Sequence, residues 1–202
     1  MRFFTIPTIA ARIYPEALFR IRTREKLLCL TFDDGPDPDS TPALLEILGR
    51  HNVRSIFFCD GRAAETYPAL VAMIREEGHI VGNHGYNHLN GWSTSLSEYC
   101  RDVNHAAVFT SASLFRPPYG LLRFNQYVRL KASFRIVFWD VMPYDFDRDV
   151  PPARSLEILN RQIRPGSVIV LHDRQDSTSA GFLDEFLDTS AGRGWKFCCP
   201  DL

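Results

Sequence analysis

From Leu27 to Cys198 the chain alternates short apolar runs with amphipathic stretches of helical period, and no linker interrupts the alternation. No other feature limits the fold as much. The runs Ile-Phe-Phe at 56–58, Ile-Val-Phe-Trp at 136–139 and Val-Ile-Val-Leu at 168–171 are rich in β-branched and aromatic residues. They lack the polar alternation of a half-exposed strand, so they read as strands buried on both faces. Strands are expected at 27–32, 53–59, 80–82, 114–115, 135–139, 168–172 and 195–198. Between them Thr41-Pro42 reads as an N-cap with proline at the first helical position. Ser95-x-x-Glu98 reads as a capping box, and Pro151-Pro152 opens a helix that stops before Pro165-Gly166. Seven strand–helix repeats predict a single α/β domain with a largely parallel sheet, and a barrel and an open doubly wound sheet both fit. In either, ligands meet the loops at the carboxyl ends of the strands.

A chain of 202 residues suits one domain with a sizeable core. The formal net charge of −1 excludes a nucleic-acid binder driven by phosphate contacts. The five cysteines are Cys29, Cys59, Cys100, Cys198 and Cys199, with no C-x-x-C spacing, and they read as free thiols of a reducing compartment. At the N-terminus, Pro7, Arg12, Pro15 and Glu16 break up the apolar weight, so neither a signal-peptide core nor a membrane span is expected. Residues 1–25 read as a packing segment and 26–202 as the functional domain. A weak membrane-surface contact through Phe3, Phe4, Ile9 and Ile13 stays open. The location expected from this reading is the cytoplasm.

Five clusters of unusual residues follow the strand candidates. The first, Thr31-Phe32-Asp33-Asp34-Gly35-Pro36-Asp37, sets two carboxylates side by side at a strand end. Adjacent like charges repel unless a cation or a base role compensates, whereas a helix-capping turn would use one Asp. The second, Asn83-His84-Gly85-Tyr86-Asn87-His88, spaces two histidines at i and i+4, on one face if the stretch makes a helical turn. Two histidines, one carboxylate and an open position form a common catalytic zinc arrangement; taken alone, H-x-x-x-H is more often a polar turn. In the third, Phe115-Arg116-Pro117-Pro118-Tyr119-Gly120, the prolines and glycine present Arg116 and Tyr119, and Arg116 would grip one Asp through a bidentate contact. The fourth runs from Trp139 to Phe146 and the fifth is Leu171-His172-Asp173, where a histidine at a strand end suits acid/base work. His51, His79 and His105 read as structural.

In this order the clusters resemble the polysaccharide deacetylase family, the esterase group that includes chitin, peptidoglycan and nodulation-factor deacetylases. The resemblance spans about Lys26 to the C-terminus, nearly the whole chain, and TFDDGPD and FRPPYG are highly specific in combination with H-x-x-x-H and Leu-His. It implies a distorted (β/α) barrel, usually of seven strands, and one divalent metal ion, zinc first, with cobalt or nickel as alternatives. It implies metal ligation by Asp34, His84 and His88, with Asp33 as general base held by Arg116. His172 is then the general acid, tuned by Asp145. The backbone N–H at Tyr119 helps bind the oxyanion, and Leu171 and Phe146 line a pocket for the acetyl methyl group. The implied activity is removal of N-acetyl groups from an acetylated sugar or glycan.

The chain departs from the family pattern at two places. The fourth motif usually reads Asp-x-x-Asp-Trp; here Met142 stands for the first Asp and Phe146 for the Trp. The second motif normally carries Ser or Thr after its first His, where this chain has Gly85. Both bear on pocket shape and so on the substrate. An O-acetyl esterase, another non-peptide amidase and a catalytically silent glycan-binding protein are the alternatives. Nothing in the sequence addresses the oligomeric state.

Overall fold

The computed structural model describes residues 10–111 and 113–199. Its strands are β1 (Leu27–Asp33), β2 (Ile56–Cys59), β3 (Ile80–Asn83), β4 (Leu114–Phe115), β5 (Arg135–Ile136), β6 (Ser167–His172) and β7 (Lys196–Phe197). The helices are α1 (Ala10–Ile13), α2 (Ser40–Arg50), α3 (Gly61–Thr66), α4 (Pro68–Glu76), α5 (Leu96–Ala106), α6 (Phe124–Leu130), α7 (Pro152–Gln162) and α8 (Ala180–Gly192). All seven expected strands form, and every pairing is parallel, in the order β5-β4-β3-β2-β1-β6 with β7 also on β1. Since β6 takes one edge of β1 along Leu28–Asp33, β7 at Leu27–Leu28 and β2 at Thr31–Asp33 share the other.

What turns this sheet into a barrel is the stretch after β5. A strand through Trp139 was expected, but β5 ends at Ile136 because the chain leaves the edge of β4 there. The Val137 N–H makes one more bond to Phe115, the Phe138 N–H turns to the Leu18 carbonyl, and the Asp140 and Val141 N–H groups donate to Val168 on β6 at 2.8 and 3.2 Å. The Val170 N–H returns a bond to the Val141 carbonyl at 3.0 Å. Leu18 and Arg20 bridge Val137 and Ser167 across the same seam. Backbone groups that an open sheet would leave at its edges are thus paired, and the fold is a distorted (β/α) barrel.

Two apolar layers follow from the strand period of two. Cys29, Ile56, Phe58, Leu114, Val137 and Val168 fill the barrel interior. Leu28, Leu30, Phe32, Phe57, Ile169 and Leu171 face outward against Leu44 and Leu48 of α2 and Phe182, Leu183 and Phe186 of α8. A further cluster seats Tyr99 and Val103 of α5 and Tyr127 and Leu130 of α6 on Phe115 and Phe138. The same parity continues upward from the inner layer: Cys29 leads to Thr31 and Asp33, Val168 to Val170 and His172, and Leu114 to Arg116. Polar residues two steps above an inner apolar residue therefore meet at the carboxyl end.

The helix boundaries have local causes. Ser95 caps α5 by accepting the Glu98 N–H at 3.3 Å, and Pro152 opens α7 at its first position. α2 begins at Ser40, before the expected Thr41 cap, and the Thr41 hydroxyl is spent on tertiary bonds described below. The five cysteines are unpaired. Phe3, Phe4 and Ile9, for which a weak membrane-surface contact stayed open, lie outside the described residues, and Ile13 is 46% exposed. Among the described residues no helix is long and apolar enough to cross a membrane.

Candidate active site

Asp34, His84 and His88 each present one ligand atom within 4.8 Å of the other two. Asp34 Oδ1 is the shared point, 3.3 Å from His88 Nε2 and 3.6 Å from His84 Nε2. The helical turn that would set the histidines on one face is not formed. β3 ends at Asn83, and the loop beyond it reaches the site by placing Gly85 and His88 in the left-handed region, at φ 80° and 52°. Asp34 and Tyr119 also have positive φ, 77° and 59°. Non-glycine residues held there cost about 1–3 kcal/mol each and persist only where their surroundings over-determine them.

The surroundings are visible at the first motif. Asp173 accepts the Ser40 hydroxyl at 2.5 Å and the Thr41 hydroxyl at 2.6 Å, and its N–H donates to the Asp33 carbonyl at 2.8 Å. A Cβ on Gly35 would lie 2.2 Å from Asp173 Oδ2, so only glycine lets the turn approach. Burial raises Asp173 to about 6. The turn carrying Asp33 and Asp34 is clamped between β1, β6 and the first turn of α2.

His84 is buried, and its Nδ1 lies 2.8 Å from the Arg116 carbonyl. A carbonyl only accepts, so Nδ1 carries the proton and Nε2 presents its lone pair, the tautomer a metal ligand needs. Burial lowers His84 to about 4 against the pull of Asp33, which keeps the ring neutral at neutral pH. Burial pushes Asp34 upward, but the His88 hydrogen bond and the charges of His172 and His84 outweigh it and hold the carboxyl below its usual range. A neutral His84, a second imidazole at His88 and the Asp34 carboxylate, grouped this closely, fit a divalent cation.

Asp33, at the inward tip of β1, faces Arg116 rather than the cluster centre. Arg116 is completely buried. The expected bidentate grip is not made: only its Nη1 reaches Asp33 Oδ1, at 2.6 Å. The same nitrogen serves Thr31 Oγ1 at 2.7 Å, while Nη2 and Nε donate to the Phe138 and Val137 carbonyls. The guanidinium lies 4.2 Å over the Phe58 ring. Its donors are shared among four acceptors because Arg116 also plugs the barrel above the inner apolar layer. Asp33 Oδ2 is left toward the cavity, 3.8 Å from His84 Nε2.

His172 is level with Asp33 on the neighbouring strand. Its Nδ1 lies 3.0 Å from Asp145 Oδ1 and its N–H donates to Asp145 Oδ2 at 2.7 Å. Asp145 is completely buried and also accepts the Ser177 hydroxyl. Burial alone would lower His172, but the Asp145 charge and hydrogen bond raise it to about 9. Phe146 packs edge-on against the His172 ring at 4.6 Å. The Tyr119 side chain is 58% exposed at the rim, and its backbone N–H donates to no acceptor among the described residues.

These groups open into one cavity of about 220 Å³, lined by Asp33, Asp34, His84, His88, Tyr119 and His172 with Phe146, Trp139, Met142, Val170 and Arg174. Leu171 requires correction. It faces the outer layer with α2 and α8, and Val170 lines the cavity instead, because a one-residue step along a strand reverses the face. Counting back two residues from His172 would have found it. Met142 lines the cavity where the family pattern has Asp. Arg174 went unnoticed in the sequence; its Nη1 lies 3.3 Å from Asp34 Oδ2 while Asp176 holds its other edge. Asp140 lies elsewhere, paired with Arg164 and Ser167. His79 is a buried core residue that accepts the Ser55 N–H.

Comparison with known proteins agrees with this geometry. The polysaccharide deacetylase family model matches residues 20–134. A peptidoglycan-N-acetylglucosamine deacetylase of Bacillus cereus is 36% identical over 80% of this chain and 59% of its own length. A chitooligosaccharide deacetylase of Azorhizobium caulinodans is 35% identical over 76% of this chain and 77% of its own. The solved structure of a peptidoglycan N-acetylglucosamine deacetylase superposes with a TM-score of 0.88 at 30% identity, covering 96% of this chain and 94% of that one. The chain thus spans less than two thirds of the Bacillus cereus relative. With the family model matching more than half of its length, this chain belongs to the polysaccharide deacetylase family.

Proposed function

We propose that the protein hydrolyses N-acetyl groups on an N-acetylated glycan, with a divalent cation, zinc first, held by Asp34, His84 and His88. One observation carries the reading: a ligand set, a carboxylate gripped by Arg116 and a histidine paired with Asp145 face one another across a single small cavity. The cation, when bound, polarises the acetyl carbonyl and lowers the pKa of water from 15.7 to near 7. Asp33, aimed by Arg116, takes the proton from the attacking water. The Tyr119 N–H, with no acceptor among the described residues, donates to the oxyanion of the tetrahedral intermediate, and such a donor is typically worth about 100- to 1,000-fold in rate. His172, kept charged by Asp145, gives its proton to the departing nitrogen. An amide requires that step because an amine anion leaves poorly.

The cavity is smaller than the roughly 300–1,000 Å³ of sites that enclose a drug-sized ligand. It suits an acetamido group with the sugar ring outside, and Trp139, Met142, Phe146 and Val170 give its wall an apolar side for the methyl. The relatives named above support a substrate among peptidoglycan and chitooligosaccharide glycans.

Acetate release from chitooligosaccharides, peptidoglycan fragments and an O-acetylated glycan, with metal analysis of the same sample, tests the reading. Release from an N-acetylated glycan is expected, and Asp33→Asn should retain the metal while losing at least about 100-fold in turnover. Release from the O-acetylated substrate alone would make the protein an esterase. A metallated protein inactive on all three would overturn the enzymatic reading.

A further inference from the structure

The two histidines of the metal set are positioned by different means. His84 stands one residue past β3, with Nδ1 bonded to the Arg116 carbonyl at 2.8 Å. His88 lies four residues further on, and its Nδ1 has no hydrogen-bond partner among the described residues. Apart from the 3.3 Å contact of Nε2 with Asp34, the point a cation would occupy, its ring meets only His84 at 5.1 Å and Tyr119 at 4.5 Å, neither of which fixes an angle the way a hydrogen bond does. The placement of His88 therefore depends on the backbone of the loop before it.

That backbone is tied to α5 by one carboxylate. Asp102 is 7% exposed. Its Oδ2 accepts the Tyr86 N–H at 2.8 Å and the Asn87 N–H at 3.2 Å, and its Oδ1 accepts the Asn87 side-chain amide at 2.6 Å. Asn83 works beside it, accepting the Gly85 N–H at 2.8 Å and donating to the Val103 carbonyl at 2.9 Å. Gly85 explains why a carboxylate fits. At φ +80° it takes a conformation that side chains rarely adopt, and a Cβ there would lie 3.1 Å from Asp102 Oδ2. The space a Ser or Thr side chain would enter after the first histidine is filled here from α5.

We propose that Asp102 is the positioning residue for His88, taking over in this chain the loop-side polar anchoring that Gly85 cannot supply. The inference rests on the metal centre proposed above. A carboxylate accepting three N–H groups holds two consecutive peptide units, and that orients the next residue, His88, toward Asp34 Oδ1. Outer-shell partners of metal ligands typically contribute about 10- to 100-fold in affinity, and here the partner acts through backbone instead of the ring nitrogen.

The test is the Zn²⁺ dissociation constant, by chelator competition, for the wild-type chain, Asp102→Ala, Asp102→Asn and Val103→Ala, with thermal melts of the metal-free proteins. Val103 is buried on the same helix and packs in the same cluster, but its side chain makes no bond to the loop. Asp102→Ala should weaken Zn²⁺ by about 10- to 100-fold. Asp102→Asn, which keeps the shape and loses acceptors, should weaken it in the same direction by less, and it carries the test if the alanine variant does not fold. Val103→Ala should lower the melting temperature and leave the affinity alone. Unchanged affinity in Asp102→Asn, or an equal loss in Val103→Ala, overturns the proposal while leaving the metal centre standing. A wild-type chain that binds no Zn²⁺ removes the metal centre and this inference together.

Discussion

At the scale of single residues, the site separates two histidines by environment. His84 sits where burial lowers it to about 4, and His172 where Asp145 raises it to about 9. One is thereby suited to donate a lone pair and the other a proton, the divergence that marks acid and base roles in an active site. His172 must be protonated to act, so activity should fall as pH rises through its folded pKa, which a bound dication pulls below 9. Removing the Asp145 charge lowers that pKa further. Asp145→Asn should therefore move the high-pH limb of kcat/KM down by about one pH unit or more. A limb that stays in place would show that another group sets it. The motifs themselves were legible because they are local: Asp33-Asp34, His84 with His88, and Arg116 with Tyr119 each span six residues or fewer. The contact of Arg116 with Asp33 joins residues 83 apart in the chain, and its single-nitrogen geometry depends on Thr31 and on the Val137 and Phe138 carbonyls beyond β5.

At the scale of elements, strand parity decides what lines the cavity. The apolar run at 168–171 announced a buried strand, but an all-apolar strand carries no alternation to reveal which face looks inward. Register with β1, where Leu171 pairs with Phe32 and His172 with Asp33, settles it in favour of Val170. Leu171→Ala should cost about 2–5 kcal/mol of stability through the cavity left beside α2 and α8, with activity per folded molecule largely kept. Val170→Phe should lower kcat/KM on an N-acetylated glycan at least about tenfold, with a stability cost of about 1–3 kcal/mol or less. Melts and acetate release on both variants distinguish the faces. Loss of activity in Leu171→Ala without a shift in melting would return Leu171 to the methyl pocket. The form of the loop from His84 to His88 was open in the sequence for a related reason: an i, i+4 spacing suits a helical turn, but Asp102 supplies tertiary acceptors that reward left-handed residues instead.

At the scale of the whole molecule, the ligands come from the residue just after β1 and from the loop after β3, with β2 between those strands, so a bound cation should couple to global folding. At 100-fold excess over its dissociation constant it stabilises by about 2.7 kcal/mol. Zn²⁺ should raise the melting temperature at pH 7.5 by several degrees. The gain should fall away on acidification toward the folded pKa of His84, about 4, where protons compete with the cation for its ring nitrogen. The metal-free protein should weaken in acid as well: a histidine whose folded pKa is depressed to about 4 contributes stability that is present above its unfolded value of 6.5 and is lost as pH falls toward 4. Melts from pH 3.5 to 8 with Zn²⁺ and with chelator check both, and a Zn²⁺ gain undiminished below pH 4 would argue against histidine ligation. By itself the sequence determined the number of strands, their parallel sense, and the loops that carry chemistry, because apolar period and turn residues act over a few positions. Tertiary structure alone decided that the sheet closes through residues 137–141, that Val170 and Arg174 line the cavity, and that Asp102 holds the loop before His88. Each of those depends on register or on contacts between distant segments, which no local pattern encodes.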